Sequence, residues 1–392
     1  MGRTMTRLAL AAALAASVAA QGPRAELIGF AALSPDTFAP GPPSGQLRSP
    51  DTTRTAFPGQ PVQGFSSVRP DRRRPGWWLV LCDNGYGTKA NSGDFLLRIY
   101  TVRPDWRGAE AGGAGGVEVG PAIQLSDPDH LVPFPIVREH APRRWLTGAD
   151  FDPESFVELP DGTFWIGDEF GPYLLHADAS GRLLGPPVDA PGLTSPDHPS
   201  VPVREKSTAR VRRSRGFEGL ALDAEGRRLI AALESGPADD TPDTTRLLEF
   251  DLPAQRFTGR TWTYRVSAPG ASLTELVAYA PGRYLAIERD DAAGERARLK
   301  RVVAVHLREP GTTADAVPVA DLLDIIDPRN LSGIGPAFTF PFITPEAVWP
   351  EDLQTLVLVN DNNFPGGGGR PPAGSKDASE FIRLRLPQPL PR

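Results

Sequence analysis

The sequence predicts an all-β fold, a β-propeller of four-stranded antiparallel blades, and three observations carry that expectation. A module of short apolar runs separated by tight turns recurs along nearly the whole chain. Glycine and proline, at 40 and 43 of 392 residues, supply the turns that such a fold needs. Each copy also carries an acid, or its amide, near the start of its first run and another at the end of its second. Five visible copies predict five blades, or six if residues 117–145 form one of their own.

The clearest copy spans residues 148–184, GADFDPESFVELPDGTFWIGDEFGPYLLHADASGRLL. A first strand over 156–159 ends at Pro160-Asp161-Gly162, where proline presets φ and glycine accepts a positive one. The return strand covers 163–166 and stops at Asp168 and Glu169; a third covers 173–177, and a weaker fourth begins at Arg182. Glu154 stands at the mouth of the first strand.

The same grammar gives Glu218 and Glu234, then Glu275 with Glu288 and Asp290, then Glu346 with Asn360, Asp361 and Asn362. A degenerate first copy has Gln63 in the acid's place and Asp83 and Asn84 at its end. Further strand-like runs follow the copies at 95–102, 246–251, 301–307 and 381–386.

Residues 1–20 read as a secretory signal peptide: Arg3 and Arg7, an apolar run too short to span a bilayer, then small residues. Secretion or periplasmic export follows, with no integral membrane segment after removal of the signal. Residues 21–392 then form a single domain. The run 26–33 is expected to complete the last blade by pairing with 381–386, which removes an open edge. Long connections fall at 34–63, 104–116 and 186–213, and 366–375 is a flexible loop by composition. Cys82, the single cysteine, lies within an apolar strand and reads as a small buried hydrophobe. A net charge of −6 argues against nucleic acid as a partner. A monomer acting on a small molecule is expected.

In a propeller the first strand of each blade lines the central channel, and a hairpin brings its two outer ends to one rim. Glu154, Glu218, Glu275, Glu346, Glu234, Glu288 and Asp361 would therefore converge. Crowded carboxylates repel unless a cation neutralises them. Oxygen ligands without histidine at matching positions suit Ca²⁺, ahead of Mg²⁺, rather than Zn²⁺. Glu169, with Asp168 beside it, is the candidate proton acceptor, and Glu218 and Glu275 are the foremost candidate ligands. The competing role for such acids is bracing, each one holding a neighbouring blade without chemistry.

Of the histidines, His176 and His306 fall in third strands, whereas His130, His140 and His198 sit on loops as further general-base candidates. Arg143-Arg144 and the basic run 210–215 could meet a phosphate, although a solvated loop face explains them as well. No nucleophile elbow, Walker loop or paired-histidine metalloprotease signature is present.

The first module, together with SRGFEGLALD, ITPEAVW and LVNDNNFP, closely resembles the bacterial phytase-like domain family, also described as esterase-like activity of phytase. The similarity runs from about residue 27 to 386. It implies a secreted or periplasmic β-propeller that hydrolyses phosphoesters or other esters, and it carries no catalytic residue with it. The expectation is an exported metal-assisted hydrolase. The alternatives are a non-catalytic propeller binding a ligand or protein, and a lactonase-like calcium propeller.

Overall fold

Short runs rich in β-branched and aromatic residues, broken by Gly and Pro turns, pair with their neighbours in sequence. In the computed structural model, which describes residues 24–48, 56–108, 112–202, 205, 208–372 and 374–392, four four-stranded antiparallel sheets follow one another. The first blade consists of Phe65–Pro70, Trp78–Cys82, Arg98–Pro104 and Val117–Gln124, and the second of Pro153–Glu158, Phe164–Asp168, Tyr173–Ala177 and Val188–Asp189. Phe217–Leu222, Arg228–Leu233, Thr244–Asp251 and Arg256–Arg265 make the third, and Ser272–Ala280, Arg283–Arg289, Lys300–His306 and Asp315–Asp321 the fourth. The signal peptide expected at residues 1–20 lies outside the described residues.

The arrangement is propeller-like. Phe65–Pro70, Pro153–Glu158 and Phe217–Leu222 are almost wholly buried and Ser272–Ala280 mostly so, whereas the last strand of the first blade is half-buried to exposed and that of the fourth largely exposed. Each inner strand packs against the next, and Thr344–Pro350 of a larger sheet packs between Ser272–Ala280 and Phe65–Pro70.

That larger sheet has seven strands. Thr344–Pro350, Thr355–Asp361 and Ser379–Arg385 pair in order, and the N-terminal strand Glu26–Leu33 adds antiparallel to Ser379–Arg385 in the register Glu26 to Arg385 and Leu33 to Ser379. The two ends of the chain are thus joined, as the sequence predicts. On its other side Glu26–Leu33 meets Ile325–Ile326, which pairs Ala337–Phe338, and Arg107–Gly108 pairs it as well.

Apolar side chains fill the spaces between adjacent sheets. Val157, Trp165 and Leu174 of the second blade pack with Phe217, Leu229 and Phe250 of the third, each such burial contributing about 1.5–3 kcal/mol. Cys82 is fully buried in the apolar cluster around the first blade, and burial pushes its thiol well up. No described helix is long and apolar enough to cross a membrane.

Two sequence expectations need correction, and a third is refined. Residues 117–145 form no sheet of their own among the described residues, because Val117–Gln124 is the outer strand of the first blade. The fourth run of the second blade starts where the sequence puts it but is irregular: Leu183 bridges antiparallel to Ala177 of the third strand, Arg182 bridges to Ser126, and regular pairing resumes only at Val188–Asp189. The glycine-rich stretch after residue 366 wraps a buried carboxylate: Gly368, Gly369 and Arg370 donate their backbone N–H groups to Asp377.

Candidate functional site

Every inner strand is irregular near its start, and the irregularity is what aims the acids. The pairing register slips across Glu154, across Glu218, across Glu275 and Leu276, and across Glu346. A bulge leaves one residue without a partner and turns its side chain out of the regular alternation. The corresponding slip in the first blade falls across Ser66. Ser66 is therefore the first copy's counterpart of the repeated acid; Gln63 instead donates to the Pro35 carbonyl and accepts a hydrogen bond from Asn362.

Two overlapping groups of buried carboxylates result. Asp152, Glu154 and Glu169 each offer an oxygen within 4.8 Å of the others, and Glu154, Glu218 and Glu346 do the same, with Glu154 common to both. All five are at least nine-tenths buried. Asp152 is anchored from the first blade by Asn84, whose backbone N–H and side-chain Nδ2 donate at 3.1 and 2.7 Å. Glu169 is 4 % exposed, and its Oε1 is buried with no hydrogen-bond partner among the described residues.

Burial first, and then neighbouring carboxylates, push Glu154, Glu169 and Glu218 well above the ordinary carboxylate range. Glu346 is pushed to about 8 for the same reasons, chiefly burial and Asp361, although Arg289 opposes the shift. Asp361 rises to about 6 by burial, held back by its hydrogen bonds from Asn363 and Thr344. It shares with Asp83, Tyr86 and Phe364 the wall of a cavity of about 300 Å³ at this rim.

Arg289 is the cation of the cluster. Burial works against its charge, but Glu234, Glu346 and Glu218 outweigh that and raise its pKa. Its Nη2 lies 2.7 Å from Glu234 and 3.6 Å from Glu346. Arg215, the last residue of the basic run, also pairs with Glu234. Glu234 is thus spoken for by two arginines at the edge of the carboxylate groups.

Three expected site residues lie elsewhere. Asp168 accepts the backbone N–H groups of Asp152 at 2.7 Å and Gly171 at 2.8 Å, so both its oxygens clamp the loop that presents Glu169. Glu275 is taken by Arg69, by Ser67 Oγ and by the Leu276 N–H, which leaves no oxygen facing the cluster unpartnered. Glu288 accepts from Tyr264, Ser267 and Arg301 between the third and fourth blades. Successive side chains on a strand face opposite ways; with Glu288 turned to the blade interface, Arg289 faces the channel.

The loop histidines stay outside the cluster. His198 contacts Asp189 at 3.0 Å and Ser200, and His130 lies 3.8 Å from Glu139. Of the other basic residues, Arg144 is buried between Asp127 and Glu139. Sequence reasoning missed Asp152 and Arg289. Asp152 precedes the repeated acid by two residues in FDPES, and Arg289 follows a closing acid, so alternation was the signal available for the second.

A secreted, uncharacterized protein of Arthroderma benhamiae is 28% identical over 251 residues, 54% of this chain and 47% of that one, so the match spans about half of that relative's length. An aldose sugar dehydrogenase from Streptomyces coelicolor superposes with a TM-score of 0.36 at 14% identity, covering 94% of this chain and 97% of the other. An exo-β-1,3-galactanase from Phanerochaete chrysosporium gives 0.41 at 10% identity over 83% and 60% of the two chains. Residues 60–364 match the family described as phytase-like, esterase-like activity of phytase, and the chain belongs to that family.

Proposed function

We propose that this chain is an exported hydrolase of phosphoesters or other esters, with water activated by a divalent cation among the channel carboxylates. The observation that carries the reading is the pair of buried carboxylate groups meeting at Glu154, with a Glu169 oxygen that no group among the described residues satisfies. Export is supported by the N-terminal sequence and by the secreted relative. The seven-stranded sheet is read as the fifth blade, since its inner strand completes the ring of contacts around the channel.

Glu154, Glu218 and Glu346 would hold the cation, and a set of carboxylates favours Ca²⁺ over Mg²⁺, which retains several of its waters. Such an ion lowers the pKa of a bound water and polarises the oxygen of the substrate. Water then adds to phosphorus or the carbonyl carbon, its proton passes to Glu169, and the bond to the leaving alcohol breaks as that proton is returned to it. The two arginines at the cluster are both engaged by Glu234. A singly charged ester or a lactone therefore suits this mouth better than a polyanion such as phytate.

The test is a panel of an aryl phosphate, a phosphodiester, a lactone and an aryl ester, run on the mature protein with calcium, magnesium or chelator. Turnover with metal, lost in chelator and lost in Glu169→Gln, is the expected result. Turnover of none of them would leave a non-catalytic binding propeller, in which the acids act as Glu275 does.

A further inference from the structure

We propose that the channel mouth holds two divalent cations, one among Asp152, Glu154 and Glu169 and the other among Glu154, Glu218 and Glu346, with Glu154 bridging them. This deepens the hydrolase reading and rests on it only for the use to which the ions are put.

Geometry gathers the five side chains as two groups of three and not around one point. Oxygens bound to a single Ca²⁺ at about 2.3–2.6 Å can stand at most about 5 Å apart. Within each group the oxygens meet that limit, yet the five do not merge into one set; Glu154 alone belongs to both. Two ions sharing a carboxylate satisfy both groups, and such pairs sit about 3.5–4 Å apart.

Charge points the same way. Five buried carboxylates carry five negative charges when ionised, and one dication would neutralise two of them. Arg289 cannot supply the rest: its nearest carboxylates are Glu234 and Asp291, at 2.7 Å each, while Glu346 is at 3.6 Å. A second dication leaves one charge over, next to that arginine. Buried charge that finds no partner is costly, and two dications offset it more nearly than one.

The unpartnered oxygen is an independent indication. Glu169 is held in place by its neighbours, since its backbone N–H donates to the Asp152 carbonyl and the Gly216 backbone packs against its own. A Cβ at Gly216 would stand 2.5 Å from the Glu169 Cα, so only glycine lets the loop approach. The side chain is thus fixed in the cluster with an oxygen, Oε1, that no donor among the described residues reaches. With two ions bound, one Glu169 oxygen binds the ion beside Asp152, and the other remains to take the proton from the metal-held water.

The test uses the whole mature protein, freed of metal and titrated with Mn²⁺ as the probe, then with Ca²⁺. Two ions per chain are expected by calorimetry and by metal analysis after gel filtration, with an exchange-coupled manganese spectrum. Glu169→Gln and Glu218→Gln should each leave one ion with an isolated manganese signal, and Glu154→Gln should weaken both sites. Circular dichroism melting in chelator checks that each variant is folded. One ion in the native protein, unchanged in Glu169→Gln, would overturn the proposal while leaving metal-dependent hydrolysis standing. Two ions without turnover of any ester would uphold it and defeat the hydrolase reading instead. No ion bound by the folded native protein would overturn both.

Discussion

Arg69 and Glu275, 206 positions apart in sequence, form a two-pronged ion pair inside the channel, Nη1 to Oε2 at 2.9 Å and Nη2 to Oε1 at 3.0 Å. Every inner strand contributes to its setting. Ser67 of the first blade donates to the same carboxylate, and the Leu220 carbonyl of the third accepts from Arg69. Phe156 of the second blade and Trp349 of the seven-stranded sheet each lie 5.5 Å from the guanidinium. Phe156, Leu220 and Trp349 stand two or three positions beyond the bulged acids of their strands and Arg69 three beyond Ser66, so the guanidinium lies a layer beneath the carboxylate cluster and Glu275 turns from its own bulge to meet it. Beyond it, Arg69, Leu220 and Trp349 also line a cavity of about 650 Å³ that belongs to the opposite rim.

The pair is a brace, and its removal should cost stability without touching the metal. Glu275→Gln leaves Arg69 buried and uncompensated, a loss of about 3–5 kcal/mol. The melting temperature in chelator should fall sharply, while the increase caused by calcium stays as in the native protein. The double replacement Arg69→Met with Glu275→Leu should recover much of the loss, because apolar substitutes for a whole buried pair are often tolerated. A lost calcium increment in Glu275→Gln would return this residue to the ligand set.

Glu218→Gln should behave in the opposite way. Its strongest influences after burial are Glu234, Glu169 and Glu346, all repulsive. Neutralising it removes repulsion, so the metal-free protein should gain on the order of 1 kcal/mol, the scale of a like-charged near neighbour. The stabilisation by calcium, which reflects binding to the native state alone, should shrink. Melting curves with calcium and with chelator read both effects.

Acidification should stabilise the metal-free protein. Glu346 has its folded pKa raised from 4.5 to about 8 and Asp361 from 3.8 to about 6, so the folded state holds more protons than the unfolded one between those values. Stability therefore rises as pH falls from about 8 toward about 4.5, and is lost again as pH climbs back through the folded values. Calcium competes with those protons, so its increment in melting temperature should be largest near pH 8 and decline toward pH 5. A chelated protein that loses stability between pH 8 and 5 would contradict the crowding of these acids.

Much of this arrangement was legible in the sequence because it is local. Tyr173–Ala177 is the strand the turn signals outline, and the Glu26–Leu33 strand closes on Ser379–Arg385 as the incomplete last repeat required. Glu154, Glu218 and Glu346 were legible because one bulge per inner strand repeats with the module. What escaped depends on partners far along the chain. Nothing near Glu275 announces Arg69, and nothing near Glu288 announces Tyr264 and Ser267 of the neighbouring blade. In the degenerate first copy the bulge itself fixes the counterpart as Ser66, three residues beyond Gln63, and bulges leave no mark in composition.

Arg289 provides the last test, because it is a resident cation in a site read as awaiting others. Its Nε is buried with no partner among the described residues, and its Nη atoms are drawn to Glu234, Asp291 and, less closely, Glu346. Arg289→Met keeps an apolar stem of similar reach and removes one positive charge from beside the carboxylates. Two consequences have opposite signs. The metal-free protein should be destabilised, since the repulsion among Glu218, Glu234 and Glu346 loses its main internal relief. Calcium should bind roughly tenfold or more tightly, because one unit charge a few ångströms away is worth several kcal/mol at an effective dielectric near 20. Calorimetric titration of the variant against the native protein separates these effects. Weaker calcium binding in a folded Arg289→Met chain would mean that Arg289 positions the ligands instead of competing with the cation, and Arg289→Lys, which restores the charge without the guanidinium fork, would then fail to rescue it.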